Sequence, residues 1–154
     1  MFKNMRRSDR ELSQEEALVI LEKCSFGILS VLGDNEYAYG VPLNYVFSNN
    51  NVYIHCAKQG FKLDSLRKNP KVCFTVVGAT ETLADKFSTN YESAIVFGEA
   101  IEIIESEKIE ALKAFIYKFS PDFKEEGMQY IEKASSATTV IKIESQKITG
   151  KARR

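Results

Sequence analysis

The segment comprising residues 52–77 constrains the fold most, because it sets four structural elements in a fixed order. Its two ends are short runs rich in β-branched and aromatic residues, which is typical of buried strands. Between them, Gly60 marks a turn, and Leu63 and Leu66 lie three residues apart, as on one face of a short helix. Pro70 disfavours helical geometry at the preceding residue, so the helix must end before it. The segment predicts a strand, a glycine turn, a short helix and a second strand.

A helix that begins just after Gly60 turns several unpaired N–H groups toward the preceding turn, and an anion is the favoured ligand there. Lys58 and Lys62 flank this turn and can add positive charge, while His55, the only histidine of the chain, ends the strand before it. A Gly-x-Lys sequence at the start of a helix is, however, more often an ordinary turn with a solvated lysine. A lone histidine is also more often a packed residue than a ligand. Both interpretations stay open at this point.

Composition limits the classes of protein that the chain can belong to. Its 154 residues, 44% of them hydrophobic, suit one domain over 1–154. The 21 basic and 21 acidic residues argue against general nucleic-acid binding, and no apolar run approaches the roughly 20 residues of a membrane span. Cys24, Cys56 and Cys73 are odd in number and far apart, which predicts neither a disulfide framework nor a metal site. Residues 1–7 are basic but lack the apolar core of a signal peptide, so we expect a cytoplasmic protein.

Further helices and strands are indicated outside this segment. Residues 13–16 have the serine–glutamate spacing of a capping box ahead of an amphipathic first helix. Ser106 is expected to cap a helix in which apolar residues recur every three or four positions until Pro121. A third short helix is expected at 125–134. Apolar or alternating runs predict strands at 26–32, 37–47, 93–104 and 138–148, with a bulge at Gly98.

Three features bear on how the strands are arranged. Pro42 cannot donate to a sheet ladder, so it belongs at a bulge or an edge. Residues 78–92 show no regular period and are expected to form a long loop, such as a lid or a contact surface. Lys151, Arg153 and Arg154 are expected to form a solvated tail. About six strands joined mostly by short turns predict a mainly β fold, a closed or partly closed β-barrel with flanking helices.

Several of these segments, in this order, resemble the FMN-binding split barrels that are related to pyridoxamine 5'-phosphate oxidase. Within that group they are most similar to the 5-nitroimidazole reductase (nitroimidazole-resistance) family. The resemblance spans nearly the whole chain: RRSDRE at 6–11, YAYGVPLNY at 37–45, YIHCA at 53–57, GFKLD at 60–64, YESAIVFGEA at 91–100 and ITGK at 148–151. It implies an FMN cofactor, and a homodimer whose flavin site is shared between the subunits. It also implies a flavin-dependent reductase of a small organic molecule, with NADH or NADPH as a candidate electron donor.

The resemblance also implies individual cofactor contacts. In such proteins the strand at 41–45 lies along the flavin ring, which points to Pro42, Leu43, Asn44 and Tyr45. The turn after the next strand holds the ribityl phosphate, which points to His55, Cys56, Ala57 and Lys62. Ser93 lies near the same site, and His55 is the candidate catalytic residue. Because Cys56 and Phe61 stand where many relatives have a serine and a second basic residue, the phosphate is expected to rest on Lys62, on backbone amides and on a basic residue from elsewhere.

Ordinary structural roles are alternatives for each of these residues. Tyr45 can be a packing residue, Asn44 a solvated strand end and Ser93 a strand start. No side chain demands a particular substrate, so a protein that stores or senses flavin or haem without efficient turnover is the competing class. In that class His55 is a candidate haem ligand.

Overall fold

The computed structural model describes residues 2–154, and Met1, the first residue of the basic N-terminal segment, lies outside the described residues. The strands are β1 (Glu11–Leu12), β2 (Phe26–Leu32), β3 (Ala38–Asn44), β4 (Val46–Ser48), β5 (Asn51–Ala57), β6 (Lys71–Leu83), β7 (Ser88–Ile103) and β8 (Thr138–Arg153). The helices are α1 (Gln14–Lys23), α2 (Phe61–Lys68), α3 (Glu105–Phe119) and α4 (Lys124–Ala134). All strand pairs are antiparallel, in the order β3–β2–β6–β7–β8–β5–β4, and β1 adds to β8.

The sheet curls into a barrel because its two end strands follow one another in the chain. Only Tyr45 separates β3 from β4, so the corner at this residue brings the two ends of the sheet together. The prediction of one continuous strand over 37–47 is wrong at this corner. The predicted β-barrel with flanking helices is confirmed, as is the edge position of Pro42, since β3 is an end strand.

Helix α1 packs against the barrel and begins as the sequence predicts. Glu16 N–H donates to Ser13 Oγ at 3.2 Å, and Ser13 N–H donates to Glu16 Oε2 at 3.0 Å, which completes the capping box. Ile20 and Leu21 of α1 are buried in the main core. They join inward-facing strand residues, which are Leu29, Val31, Val52, Ile54, Phe74, Val76, Val96 and Ile143. Burial of each large apolar side chain stabilises the fold by about 1.5–3 kcal/mol.

Helices α3 and α4 cover part of the outside of the barrel. Ile103, Leu112, Ile131 and Val140 form a second apolar cluster between these helices and the sheet. The predicted cap at Ser106 is wrong, because α3 already begins at Glu105, with Ile104 as the N-cap residue and no side-chain capping bond. The predicted ends of both helices are confirmed, since α3 ends at Phe119 ahead of Pro121 and α4 ends at Ala134.

Two segments are more regular than the sequence predicts. Residues 78–92 are not a loop, because β6 and β7 continue as a two-stranded ribbon in which Thr80 pairs with Tyr91 and Thr82 with Thr89. Most side chains of this ribbon are exposed or half-buried. Because neither face packs against a core, the sequence shows no alternation of apolar and polar residues. The C-terminal residues are not a free tail either, since Lys151 pairs with both β1 and β7. No helix within residues 2–154 combines the length and the apolar character needed to span a membrane.

Candidate functional site

The split of the barrel lies between the free edge of β3 and the second half of β5. β4 pairs only with the first half of β5, from Ser48 opposite Asn51 to Val46 opposite Tyr53. The chain then turns away at Tyr45, so β4 gives His55 no partner on that side. Backbone N–H and C=O groups on unpaired strand edges remain available to bind a ligand. The split therefore offers main-chain donors and acceptors from two directions.

Residues of β3 alternate between the two faces of the sheet. Pro42 pairs with Ile28 and Asn44 pairs with Phe26, and the side chains of both β3 residues are exposed. Leu43 faces inward and packs against the main core. The structure therefore leaves the Pro42 and Asn44 side chains available to a ligand, and Leu43 chiefly through its main chain.

Tyr45 lies in the core and not on the surface of the split. Its side chain is fully buried, and its hydroxyl donates to Leu21 O at 2.6 Å. Its ring packs edge-on against Phe74, with the centroids 4.9 Å apart. Burial raises the pKa of Tyr45, so the phenol stays protonated and donates this hydrogen bond. The structure thus corrects the expected contact between the Tyr45 side chain and the flavin ring, because this side chain packs in the core.

His55 lies at the open end of β5, where it contacts helix α3. Its ring packs edge-on against Phe115, with the centroids 4.6 Å apart, and it stays partly open to solvent. Partial burial and the positive charge of nearby Lys62 lower the pKa of His55. The imidazole is therefore neutral at pH 7, as required of a hydrogen-bond acceptor, a general base or a metal ligand.

The start of α2 has the properties of an anion site. Gly60 precedes the helix with a φ of +138°, and no atom lies within 4 Å of the position that a side chain would take there. No side chain caps the first turn, so its N–H groups are open, and Lys62 stands half-buried among them. The predicted helix between Gly60 and Pro70 is confirmed. An open, positively charged turn rich in N–H donors fits the phosphate of FMN.

Phe61, Cys56 and Ala57 occupy the surroundings of this turn. The Phe61 ring packs edge-on against Tyr39 at 5.0 Å, which ties the start of α2 to β3. Cys56 faces inward from His55 and packs against the core, and burial raises the pKa of its thiol. The thiol is therefore protonated at neutral pH and is not a reactive thiolate. Ala57 is exposed at the end of β5 and offers its main chain.

Ser93 lies far from this group within one chain. Ser93 pairs with Lys151 on β8, and its Oγ lies 3.5 Å from Lys151 O. His55 pairs with Val140 on the same strand. The path along β8 from position 140 to position 151 is at most about 36 Å, at about 3.3 Å per residue, and the straight-line distance is shorter because the strand curves with the barrel. Ser93 and His55 thus pair with opposite ends of β8, whereas Asn44 lies on the Ser93 side as well, because it pairs with Phe26 on the outer face that Val77 and Ser93 share.

Two groups of residues near these positions were missed by the sequence analysis. Tyr91 lies beside Arg10 and Lys151; burial alone would raise the pKa of Tyr91, but hydrogen bonding and charge from these two residues outweigh it and lower the pKa. On α3, Phe115 contacts His55 on the β5 side of the split, and Lys118 donates to the Tyr45 carbonyl at the end of β3. No local sequence pattern marks either group, because strand pairing and helix packing bring its members together from distant parts of the chain.

The outer face near Ser93 exposes large apolar side chains. Phe26 and Val77 are 56% and 53% exposed, and Ile28 lies on the same face of β2 as Phe26. Val77 pairs directly with Ser93. Contiguous exposed apolar surface of this kind typically marks an interaction site.

Comparisons with known proteins agree with this architecture. The chain is similar to a candidate 5-nitroimidazole antibiotic resistance protein from Bacteroides thetaiotaomicron, with 21% identity, 92% of this chain and 86% of that chain covered, and a TM-score of 0.75. A flavocytochrome from Azotobacter vinelandii gives 21% identity, coverages of 98% and 72%, and a TM-score of 0.78. An FAD-binding protein from Mesorhizobium loti gives 21% identity, coverages of 94% and 98%, and a TM-score of 0.65. These similarities confirm the split-barrel fold.

The sequence itself identifies the family. A family model described as pyridoxamine 5'-phosphate oxidase matches residues 13–152. The chain therefore belongs to the pyridoxamine 5'-phosphate oxidase family, as its sequence resemblance predicts. A search of curated proteins finds no significant match.

Proposed function

We propose that this protein binds FMN at the subunit interface of a homodimer and acts as an FMN-dependent oxidoreductase on a small organic molecule. Its candidate substrates are nitroaromatic-like, quinone-like or pyridoxamine-phosphate-like compounds. The observation that carries the proposal is the uncapped start of α2, where Lys62 and open N–H groups stand beside His55 and the free edge of β3. FMN joins a phosphate to a flat ring, so its phosphate would occupy the start of α2 and its ring would lie along the edge of β3.

The phosphate end favours FMN over riboflavin. The first turn of α2 offers backbone donors and the positive end of the helix dipole, and Lys62 adds a full charge. Charge-assisted hydrogen bonds of this kind are about twice as strong as neutral ones. Because the Mesorhizobium loti neighbour is described as FAD-binding, FAD is the cofactor that the experiment must distinguish from FMN.

The ring end is formed by β3. The exposed side chains of Pro42 and Asn44, together with unpaired main-chain groups, supply a flat apolar surface with a few polar groups. When bound, the flavin supplies the electron-transfer chemistry, and the protein supplies its placement and environment. The neutral His55 imidazole is placed to hold or move a proton at one of its ring nitrogens.

The positions of Ser93 and His55 support a site shared by two subunits. The two residues pair with opposite ends of β8, so a flavin held at His55 of one protomer could meet Ser93 of a second. In a two-fold dimer formed through the apolar face around Phe26 and Val77, Ser93 of one protomer lies at the flavin of the other. The dimer would also cover that face.

A binding module that stores or senses flavin or haem is the second candidate. It is favoured by the state of His55, which is neutral, partly open to solvent and without a side-chain hydrogen bond to any residue in 2–154. A neutral imidazole of this kind is a common haem ligand. The Azotobacter vinelandii neighbour is itself described as a flavocytochrome.

The proposed cellular location rests on the cysteines. Cys24, Cys56 and Cys73 are all free thiols and only partly buried. Free thiols persist in reducing compartments. We therefore place the protein in the cytoplasm, where NADH and NADPH are available as electron donors.

The test is to identify what copurifies with the protein. We expect a yellow protein that releases FMN on denaturation, as separated by chromatography against FMN, FAD and riboflavin. A haem spectrum would favour the second candidate. A colourless protein that also fails to bind added FMN would refute the proposal.

A further inference from the structure

Lys118 makes an unusual set of contacts in the last turn of α3. Its Nζ donates to Cys24 O at 2.6 Å and to Tyr45 O at 3.0 Å. The same ammonium lies 4.3 Å from the centroid of the Tyr45 ring. Among residues 2–154, no carboxylate lies within ion-pair distance of it. Lys118 thus joins three elements of the fold through a charge that has no acidic partner.

Such a charge is a poor choice if the position serves stability alone. Burial lowers the pKa of Lys118, which reflects the loss of hydration around its ammonium. The carbonyl at the end of α1 and the dipole of that helix offset part of this cost, because Cys24 is its C-cap residue. Even buried ion pairs can often be replaced by apolar side chains of similar volume without loss of stability, so a desolvated charge is weak evidence for a purely stabilising role. The ammonium instead fixes the positions of the Cys24 and Tyr45 carbonyls relative to each other, because it donates to both at once.

The fixed geometry lies next to the proposed flavin site. Tyr45 follows Asn44 directly, so the carbonyl that Lys118 holds sets the end of β3. Three residues earlier on the same face of α3, Phe115 packs against the ring of His55. One helical turn therefore fixes both sides of the split, β3 through Lys118 and β5 through Phe115.

We propose that Lys118 is a positioning residue that sets the width of the flavin slot between Asn44 and His55. This inference rests on the proposed function, because the slot has a purpose only if a flat ring enters it. In this role Lys118 acts on the slot indirectly. It acts through the Tyr45 carbonyl and through the corner that this carbonyl anchors.

The experiment compares three variants with the unmodified dimer. Lys118→Met keeps the side-chain length but removes the charge and both donors, while Lys118→Arg keeps charge and donors. Lys113→Met is the control, because Lys113 lies on the same helix and pairs with the exposed Glu110. For each protein we measure the Kd for FMN, the visible circular dichroism of the bound flavin and the thermal midpoint of the apoprotein.

We expect Lys118→Met to weaken FMN binding about tenfold or more, on the scale of a lost charged hydrogen bond. It should also change the visible dichroism of the flavin that still binds. Lys118→Arg should restore both properties, and Lys113→Met should change neither. A lower thermal midpoint with unchanged FMN affinity and dichroism would overturn the inference and leave Lys118 a structural contact.

Other outcomes also decide the question. If Lys118→Met does not fold, Lys118→Gln replaces it, since the amide can still donate to one carbonyl without charge. Wild-type FMN affinity and dichroism in the folded Gln variant would overturn the inference. If the unmodified protein binds no FMN, the proposed function fails and the inference fails with it. If the unmodified protein binds FMN and all variants bind it equally, only the positioning role is refuted.

Discussion

The two ends of β8 differ in what covers them, and the predicted site residues are divided between them. At one end Val140 pairs with His55, and α3 and α4 cover the outer face of the sheet. At the other end Lys151 pairs with Ser93, and Phe26 and Val77 lie exposed nearby. One end packs against its own helices, while the other exposes an apolar face that single soluble chains seldom leave uncovered. In the site that we propose, a second subunit would cover this apolar face, and the difference between the two ends can be tested on that basis.

The largest expected effect concerns His55, at the covered end. If its imidazole moves a proton during substrate reduction, His55→Ala should slow reoxidation of the reduced protein by a nitroaromatic or a quinone about 10²–10⁴-fold. Anaerobic stopped-flow mixing measures this step after reduction by NADH or NADPH. Reduction by the nicotinamide and the affinity for FMN serve as internal controls. An unchanged reoxidation rate would show that His55 only packs against Phe115.

A slightly smaller effect is expected at the Ser93 end of β8, where Val77→Asp places a charge in the proposed interface. An unpaired charge that must be desolvated weakens association by several kcal/mol, so the dimer should dissociate more than about a hundredfold more readily. Light scattering should then report 17.4 kDa instead of twice that mass.

Tyr130→Asp provides the control for this change. Tyr130 is also an exposed aromatic residue, but it lies on α4, away from the proposed interface. It should leave the dimer intact. A Val77→Asp protein that remains dimeric, or a monomer that binds FMN fully, would remove the basis for a shared site.

Next in size is the effect of Lys62→Ala. A charged hydrogen bond contributes about 1.5–3 kcal/mol, so FMN affinity should fall roughly tenfold to a hundredfold. Riboflavin affinity should change little, because riboflavin brings no phosphate charge to α2. Fluorescence titration with both ligands measures the ratio, and Lys68→Ala, at the exposed far end of α2, is the matched control. Equal losses for FMN and riboflavin would show that Lys62 does not bind phosphate.

The local features of the two ends were predictable from sequence to different degrees. Around His55 the limits of α2 follow from Gly60 and Pro70, because each residue restricts the backbone whatever surrounds it. The corner at Tyr45 was not predictable, since the apolar run continues through it and only tertiary packing turns this side chain inward. The continued pairing of β6 with β7 was missed for a related reason. Its side chains face solvent on both sides and leave no period.

The positions of Ser93 and His55 on the sheet were not predictable from any local pattern. The resemblance placed Ser93 and His55 at one cofactor, but no local pattern states that β8 separates them by its length. That distance depends on strand order, which is set by long-range pairing. The same holds for Lys118, whose contacts reach residues 94 and 73 positions away in the chain.

The smallest expected effect is a pH dependence of apoprotein stability that belongs to the His55 end alone. In the folded state burial and Lys62 lower the pKa of His55 below its ordinary value of 6.5. As the pH falls through this ordinary value, the unfolded chain takes up a proton that the folded chain does not bind, so stability is lost. The contribution of His55 to stability is therefore complete above pH 6.5 and is lost progressively down to the pKa of the folded state.

Tyr91, at the other end of β8, provides the control. Its ordinary pKa of 10.0 is lowered in the folded state, so it contributes to stability only toward alkaline pH. Urea unfolding between about pH 7.5 and about pH 5.5 should therefore show a steeper loss for the wild type than for His55→Gln, whereas Tyr91→Phe should match the wild type. Parallel curves for wild type and His55→Gln would mean that His55 has the same proton affinity in both states.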